Sequence, residues 1–173
     1  MSRSSTRSNV PRGTAGEWSS AGQLQHRWDW RAAGNFIGGG TGAGLWVAAL
    51  ANAASPTVFR VQAGLALVAI ATGLLCVMAK TGRPARALNL FRHVAGSWMS
   101  REGFTLPTLF GCGLIALWQG RAGAMAVIAA VSALLFLYCQ ARILRAAHGI
   151  PAWSVAGIVP LLLSSGLAEG IGV

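Results

Sequence analysis

Acidic side chains are nearly missing from this chain: Glu17, Asp29, Glu102 and Glu169 are the four carboxylates in 173 residues. No two lie close in sequence, so the paired carboxylates of hydrolytic acid–base chemistry are excluded. The same scarcity bears on the glycine cluster GNFIGGGTGAG at 34–44. Gly38, Gly40 and Ala43 satisfy a dinucleotide-binding spacing, but that motif needs a preceding strand and an acid about 20 residues on. Arg60, Val61 and Gln62 stand where the acid belongs. Cysteine is also sparse. Cys76, Cys112 and Cys139 are far apart and never spaced CxxC, which indicates neither a zinc site nor a disulfide framework. No Ser/His/Asp or Cys/His arrangement is visible, so no catalytic residue and no metal site is assigned. Charge of either sign is only 10% of the chain, below the range of a soluble domain.

What is present in quantity is apolar: 54% of the residues are hydrophobic. A hydrocarbon core about 30 Å thick is crossed by about 20 apolar residues in a helix. Five stretches meet that condition, at about 33–54, 61–79, 103–119, 123–146 and 154–173. The third is short and contains Pro107. The fold class expected is therefore all-α, a polytopic membrane bundle of about five spans occupying 28–173. A net charge of +10 is a common mark of nucleic-acid binding, but its distribution here has a simpler source. Twelve of the fourteen Lys and Arg fall in the N-terminal tail and the second and fourth loops, with Arg60 and Arg121 alone on the other side. Basic residues are retained on the cytoplasmic side of a membrane, which predicts a cytoplasmic N-terminus. Nucleic-acid binding is unnecessary.

Residues 1–27 are rich in Ser, Gly and Arg with no apolar core, which predicts a basic disordered tail rather than a secretory signal. In the first span, Gly38 and Gly42, Gly39 and Ala43, and Gly40 and Gly44 recur at helical spacing. Such faces either let helices approach closely in lipid or leave a slot for a flat ring. The loop after the second span places Ala87, Leu88, Phe91, Val94, Ala95 and Trp98 on one helical face and Arg86, Asn89, Arg92, His93 and Ser97 on another. That pattern predicts an interfacial amphipathic helix over 84–99. Ser100 with Glu102 reads as the start of the third span. Glu169 is the acid placed well inside a span. If the fifth span runs outward, Glu169 lies toward the outer end, level with Asn52, Arg60, Gln62, Gln119 and Arg121, and is expected either to pair with one of these, Arg60 or Arg121 first, or to stay protonated. The chain stops abruptly at Ile171-Gly172-Val173, as a shortened form of a longer bundle would.

Four stretches together carry a resemblance: the WDW tail, NFIGGGTGAG, TGRPARALNLFRHVAGSWMSRE, and GIPAWSVAGIVPLLLSSGLAEGIG. Over about 28–173 the chain resembles the membrane anchor subunits of DMSO-reductase-type molybdoenzymes, of the DmsC and NrfD kind. Among these it is most similar to anchors of phenylacetyl-CoA:acceptor oxidoreductases. The resemblance implies a haem-free anchor in a bacterial inner membrane. Its partners would be an iron–sulfur subunit and a molybdopterin catalytic subunit, which hold the iron–sulfur and molybdenum cofactors, and quinone would be its exchangeable substrate. Anchors of this family usually have eight or more spans, against five here. Haem would need axial ligands within the membrane, whereas His26, His93 and His148 all lie outside the predicted spans.

A quinone site needs room for the ring, donors to its carbonyl oxygens and a path for protons. Asn35, Gly38, Gly42 and His93 are the candidates at the cytoplasmic ends of the spans. Asn35 also suits a helix cap and His93 a snorkelling interfacial residue. Trp28, Trp30, Arg31, Arg83 and Arg101 suit docking of the partner subunit, and equally an aromatic and basic belt at the membrane surface. The competing readings are a membrane scaffold without redox traffic and a small transporter or channel subunit. Thr41, Asn52, Thr72, Ser132 and Glu169 furnish little of a polar path.

Overall fold

The computed structural model describes residues 29–81, 97–147 and 151–173. Among them the chain is all-helical: α1 Trp30–Ala51, α2 Pro56–Thr81, α3 Trp98–Gln119, α4 Ala124–Ala146 and α5 Ile158–Ile171, with a short 3-10 turn at Pro151–Trp153 before α5. Two helical stretches, Pro56–Ala79 and Ala124–Ala146, are long and apolar enough to cross a membrane. The predicted tail 1–27, Trp28, Arg83 and His93 lie outside the described residues, as does the interfacial helix 84–99 apart from its end. Trp98 and Met99 from that end instead open α3.

Helix boundaries differ from the predicted spans where caps decide them. α1 begins at Trp30, three residues earlier than expected, because Asp29 caps it by accepting from the Ala32 amide at 3.3 Å. Asn35 is therefore not a cap but a buried residue of the second turn. α3 likewise starts before Ser100 and Glu102, with Ser97 at the cap position. Pro107 is accommodated inside α3. Gly120 ends that helix with φ at 65°, a left-handed conformation that glycine adopts freely, and its amide donates to the Ala116 carbonyl at 2.9 Å. α5 is shorter than expected, 14 residues or about 21 Å.

Close glycine contacts set the helix order. On α1, Gly38 faces the Ala69 carbonyl and Gly73 of α2, and Gly42 faces Ala66 and Ile70, so these two helices are antiparallel. On a different side of α1, Gly40 meets Gly166 and Gly44 meets Gly170, so α5 runs parallel to α1 with two glycine pairs in register. Trp46 is fully buried and donates from Nε1 to the Ala126 carbonyl of α4 at 3.0 Å. Its ring reaches α3 at Gly113, where an added Cβ would lie 3.0 Å from it. Trp46, Phe59, Ile70, Leu109 and Phe136 anchor a single core cluster shared by α1 to α4. The directions alternate from α1 to α5, so Arg31, Trp98, Arg101 and Arg142 gather at one end. Arg60 and Gly120 meet at the other, near the hydrogen bond from Asn52 Nδ2 to Gln62 Oε1 at 3.0 Å.

Candidate functional site

Among the described residues, most of the buried polar side chains gather where α1, α3 and α4 meet below the arginine-rich end. There Gly39 leaves room for the carboxamide of Gln140, whose Cδ would be 2.8 Å from a Cβ at position 39. Gln140 is 1% exposed, and its Nε2 donates to the Asn35 carbonyl at 3.1 Å. The same carboxamide reaches the side chain of Glu102 on α3. Asn35, Glu102 and Gln140 are all buried, and each leaves one side-chain oxygen without a donor: Asn35 Oδ1, Glu102 Oε1 and Gln140 Oε1. Buried polar groups are normally paired, because an unmade hydrogen bond in an apolar interior costs about 1–3 kcal/mol. Three such oxygens in neighbouring residues mark a place that wants protons or donors.

Above this cluster lies a cap of aromatic rings and guanidinium groups. Trp98 has Arg101 over one side at 4.4 Å and Arg142 at 4.5 Å, and it meets Tyr138 edge-on at 5.8 Å between centroids. Arg142 Nη1 also donates to the Tyr138 hydroxyl at 3.4 Å. Arg31 lies 5.4 Å from the Trp30 ring and donates to the Ala79 carbonyl at 3.3 Å, tying α1 to the end of α2. Trp30 itself is 71% exposed. Of the expected docking residues, Trp30, Arg31 and Arg101 thus share one end.

A cleft of about 110 Å³ opens on the outside of the bundle between α1, α4 and α5. Phe36, Ile37, Leu137 and Leu162 form its apolar walls, while Gln140, Ser165 and Glu169 supply its polar groups. Glu169 is exposed at this surface, and its two carboxylate oxygens accept from the hydroxyls of Thr41 and Ser165, each at 3.2 Å. This corrects the expectation of an ion pair with Arg60 or Arg121. The parallel register of α5 on α1 sets Gly170 against Leu45, so Glu169 sits level with the middle of α1 and far from the end that holds Arg60 and Gly120.

The glycine face of α1 is occupied by protein. A Cβ at Gly38 would lie 2.7 Å from the Ala69 carbonyl, and one at Gly42 would lie 2.8 Å from that of Ala66. Of the two readings open in the sequence, close helix approach is the one realised, and no ring-sized slot lies along Gly38 and Gly42. Sequence reasoning did not single out Gln140, the residue that joins the buried cluster to the cleft. Its signal was a lone carboxamide one turn before the polar end of α4, at the start of QARILR. Among the described residues, no group of three or more His, Cys, Asp or Glu gathers as a metal site would require. No protein-family model, no curated protein and no solved structure matches this chain.

Proposed function

We propose that the chain is an integral-membrane anchor subunit of a molybdenum/iron–sulfur oxidoreductase, exchanging electrons between an iron–sulfur partner and the quinone pool. It sits in a bacterial inner membrane with all five helices embedded and its N-terminus in the cytoplasm. The observation that carries the reading is the lipid-side cleft, where an apolar groove offers Gln140, Ser165 and Glu169 to a small amphiphile. Supporting the membrane placement, α2 and α4 turn large apolar side chains outward, among them Val61, Leu65, Val68, Val131 and Leu135. A soluble core helix would bury those side chains. In lipid they face a solvent as apolar as themselves.

The quinone contacts proposed from the sequence shift accordingly. Gly38 and Gly42 hold α2 in place, and Asn35 acts through Gln140 rather than at the ring. The cleft is small beside the 300–1,000 Å³ of drug-sized sites, so it holds a headgroup ring and leaves an isoprenoid tail in lipid. The arginine and tryptophan end that carries Trp30, Arg31 and Arg101 faces the iron–sulfur and molybdopterin subunits. Chemistry on the enzyme's substrate belongs to those partners.

The closed glycine face favours a second reading, a scaffold that anchors a soluble enzyme without handling electrons. Purification from native membranes, with identification of the co-purifying chains, tests the anchor role common to both. Glu169→Gln then separates them in the assembled complex. Electron carriage predicts slowed quinone turnover with dye-linked activity of the soluble subunits intact, whereas a scaffold predicts that both stay unchanged. Recovery of the chain without any redox partner would overturn both readings.

A further inference from the structure

We propose that Arg142, with Trp98 and Tyr138 around it, forms a binding site for the phosphate headgroup of an anionic phospholipid, on the flank of the bundle between α3 and α4. The geometry begins at the Trp98 ring. Arg142 lies 4.5 Å from its centroid and Arg101 4.4 Å, so the two guanidinium groups are at most about 9 Å apart, comparable to the Debye length at physiological salt. Like charges held that close repel, and an anion beside them relieves the repulsion. A guanidinium carries five N–H donors in a fork that matches phosphate oxygens. Among the described residues, Arg142 directs one of them to an oxygen, the Tyr138 hydroxyl at 3.4 Å, and its other contacts are the faces of the Trp98 and Tyr138 rings. Ring contacts orient the guanidinium and leave its N–H edge open. Arg101 adds charge, and the site does not require its donors.

The helix face below Arg142 selects a lipid over an acidic protein segment. On α4, Ile128, Val131, Leu135, Tyr138 and Arg142 recur at three- and four-residue spacing and so share one face. Ile128, Val131 and Leu135 are exposed, and Tyr138 and Arg142 are half-buried. The face thus passes from bare apolar side chains through an aromatic ring to a cation. That is the order of acyl chain, ester region and phosphate in a phospholipid, and Leu135 to Arg142 covers about 10 Å of it along the helix. Basic pockets between helices hold anionic headgroups on the cytoplasmic side of a membrane, and Trp and Tyr suit the depth just beneath. An acidic peptide would meet the cation but leave the apolar face bare. The inference rests on the membrane placement proposed above and not on electron transfer.

The test is native mass spectrometry of the full chain in detergent, without partners or quinone, titrated with phosphatidylglycerol or with phosphatidylcholine of the same acyl chains. Phosphatidylglycerol is expected to bind at least about fivefold tighter, the effect of one basic side chain at a membrane surface. Arg142→Gln should abolish that preference, whereas Arg145→Gln, which removes an exposed cation from the last turn of the same helix, should keep it. Equal losses in the two variants would overturn the proposal, because diffuse basicity and not a site would then attract the lipid. So would equal binding of the two lipids, or displacement of phosphatidylglycerol by inorganic phosphate at the same concentration, since the ligand would then be a free anion. Photo-crosslinking of the unaltered chain, in vesicles of phosphatidylglycerol with a diazirine on its acyl chain, does not depend on any variant folding. Label should fall on α4 between Ile128 and Tyr138, and label confined to the other helices would overturn the site. Thiol accessibility of Ser55→Cys and Arg145→Cys reads the membrane placement separately, so that loss of the lipid site and loss of that placement are told apart.

Discussion

Gln140 on α4 enters the space left by Gly39 on α1, and its Nε2 donates to the Asn35 carbonyl one turn away at 3.1 Å. A missing side chain on one helix thus admits a polar one from another. Gly39→Ala would place a methyl 2.8 Å from the Gln140 Cδ. We expect a loss of about 1–3 kcal/mol from overpacking, read as a lower thermal unfolding midpoint in detergent. Gly39→Ala combined with Gln140→Ala should recover part of that loss. Additive effects of the two changes would show that they do not touch.

The α1–α5 contact rests on two glycine pairs, Gly40 with Gly166 and Gly44 with Gly170. A Cβ at Gly44 would lie 2.9 Å from the Gly170 Cα and 2.8 Å from the Leu167 carbonyl, backbone that cannot step aside. Gly44→Ala is expected to detach α5, making a cysteine introduced at Leu163 reactive to a membrane-permeant thiol reagent. Gly111 has open space around its Cα, so Gly111→Ala should leave that reactivity as it was. Equal behaviour of the two variants would contradict the close α1–α5 approach.

Trp46 combines a buried ring with a hydrogen bond across the bundle to Ala126. Trp46→Phe keeps most of the ring and removes the donor, and should cost about 0.6–2 kcal/mol, the range of interhelical hydrogen bonds in membranes. Trp46→Ala should cost about 3–5 kcal/mol, because it also opens a cavity between Gly113 and Leu67. Chemical or thermal unfolding of both variants in one detergent checks the order. Similar losses would mean that the ring carries little of the contact.

The alternating helix directions put Ser55 and Arg145 at opposite ends of the bundle. In a chain with its native cysteines replaced, Ser55→Cys should react with an impermeant thiol reagent from outside the cell, and Arg145→Cys only after the membrane is opened. The reverse pattern would invert the topology and put the arginine-rich end outside.

Much of the architecture was legible from composition. Scarce charge and long apolar stretches pointed to an all-helical chain, which the described residues are, because a backbone removed from water must bond to itself and a helix does so locally. The repeating glycines of α1 announced a close contact, but periodicity along one helix does not say what fills it. That was decided by neighbours distant in sequence: α2 took Gly38 and Gly42, and α5 took Gly40 and Gly44. Glu169 shows the same division. Its rarity inside an apolar stretch was plain in the sequence, whereas its depth followed from how far α5 slides along α1, a relation that no local pattern encodes. The parallel glycine register set that slide and brought Glu169 to Thr41 rather than to an arginine. Gln140 gave the weakest sequence signal and has the most connected position, because its partners Asn35 and Glu102 come from helices that only folding brings together.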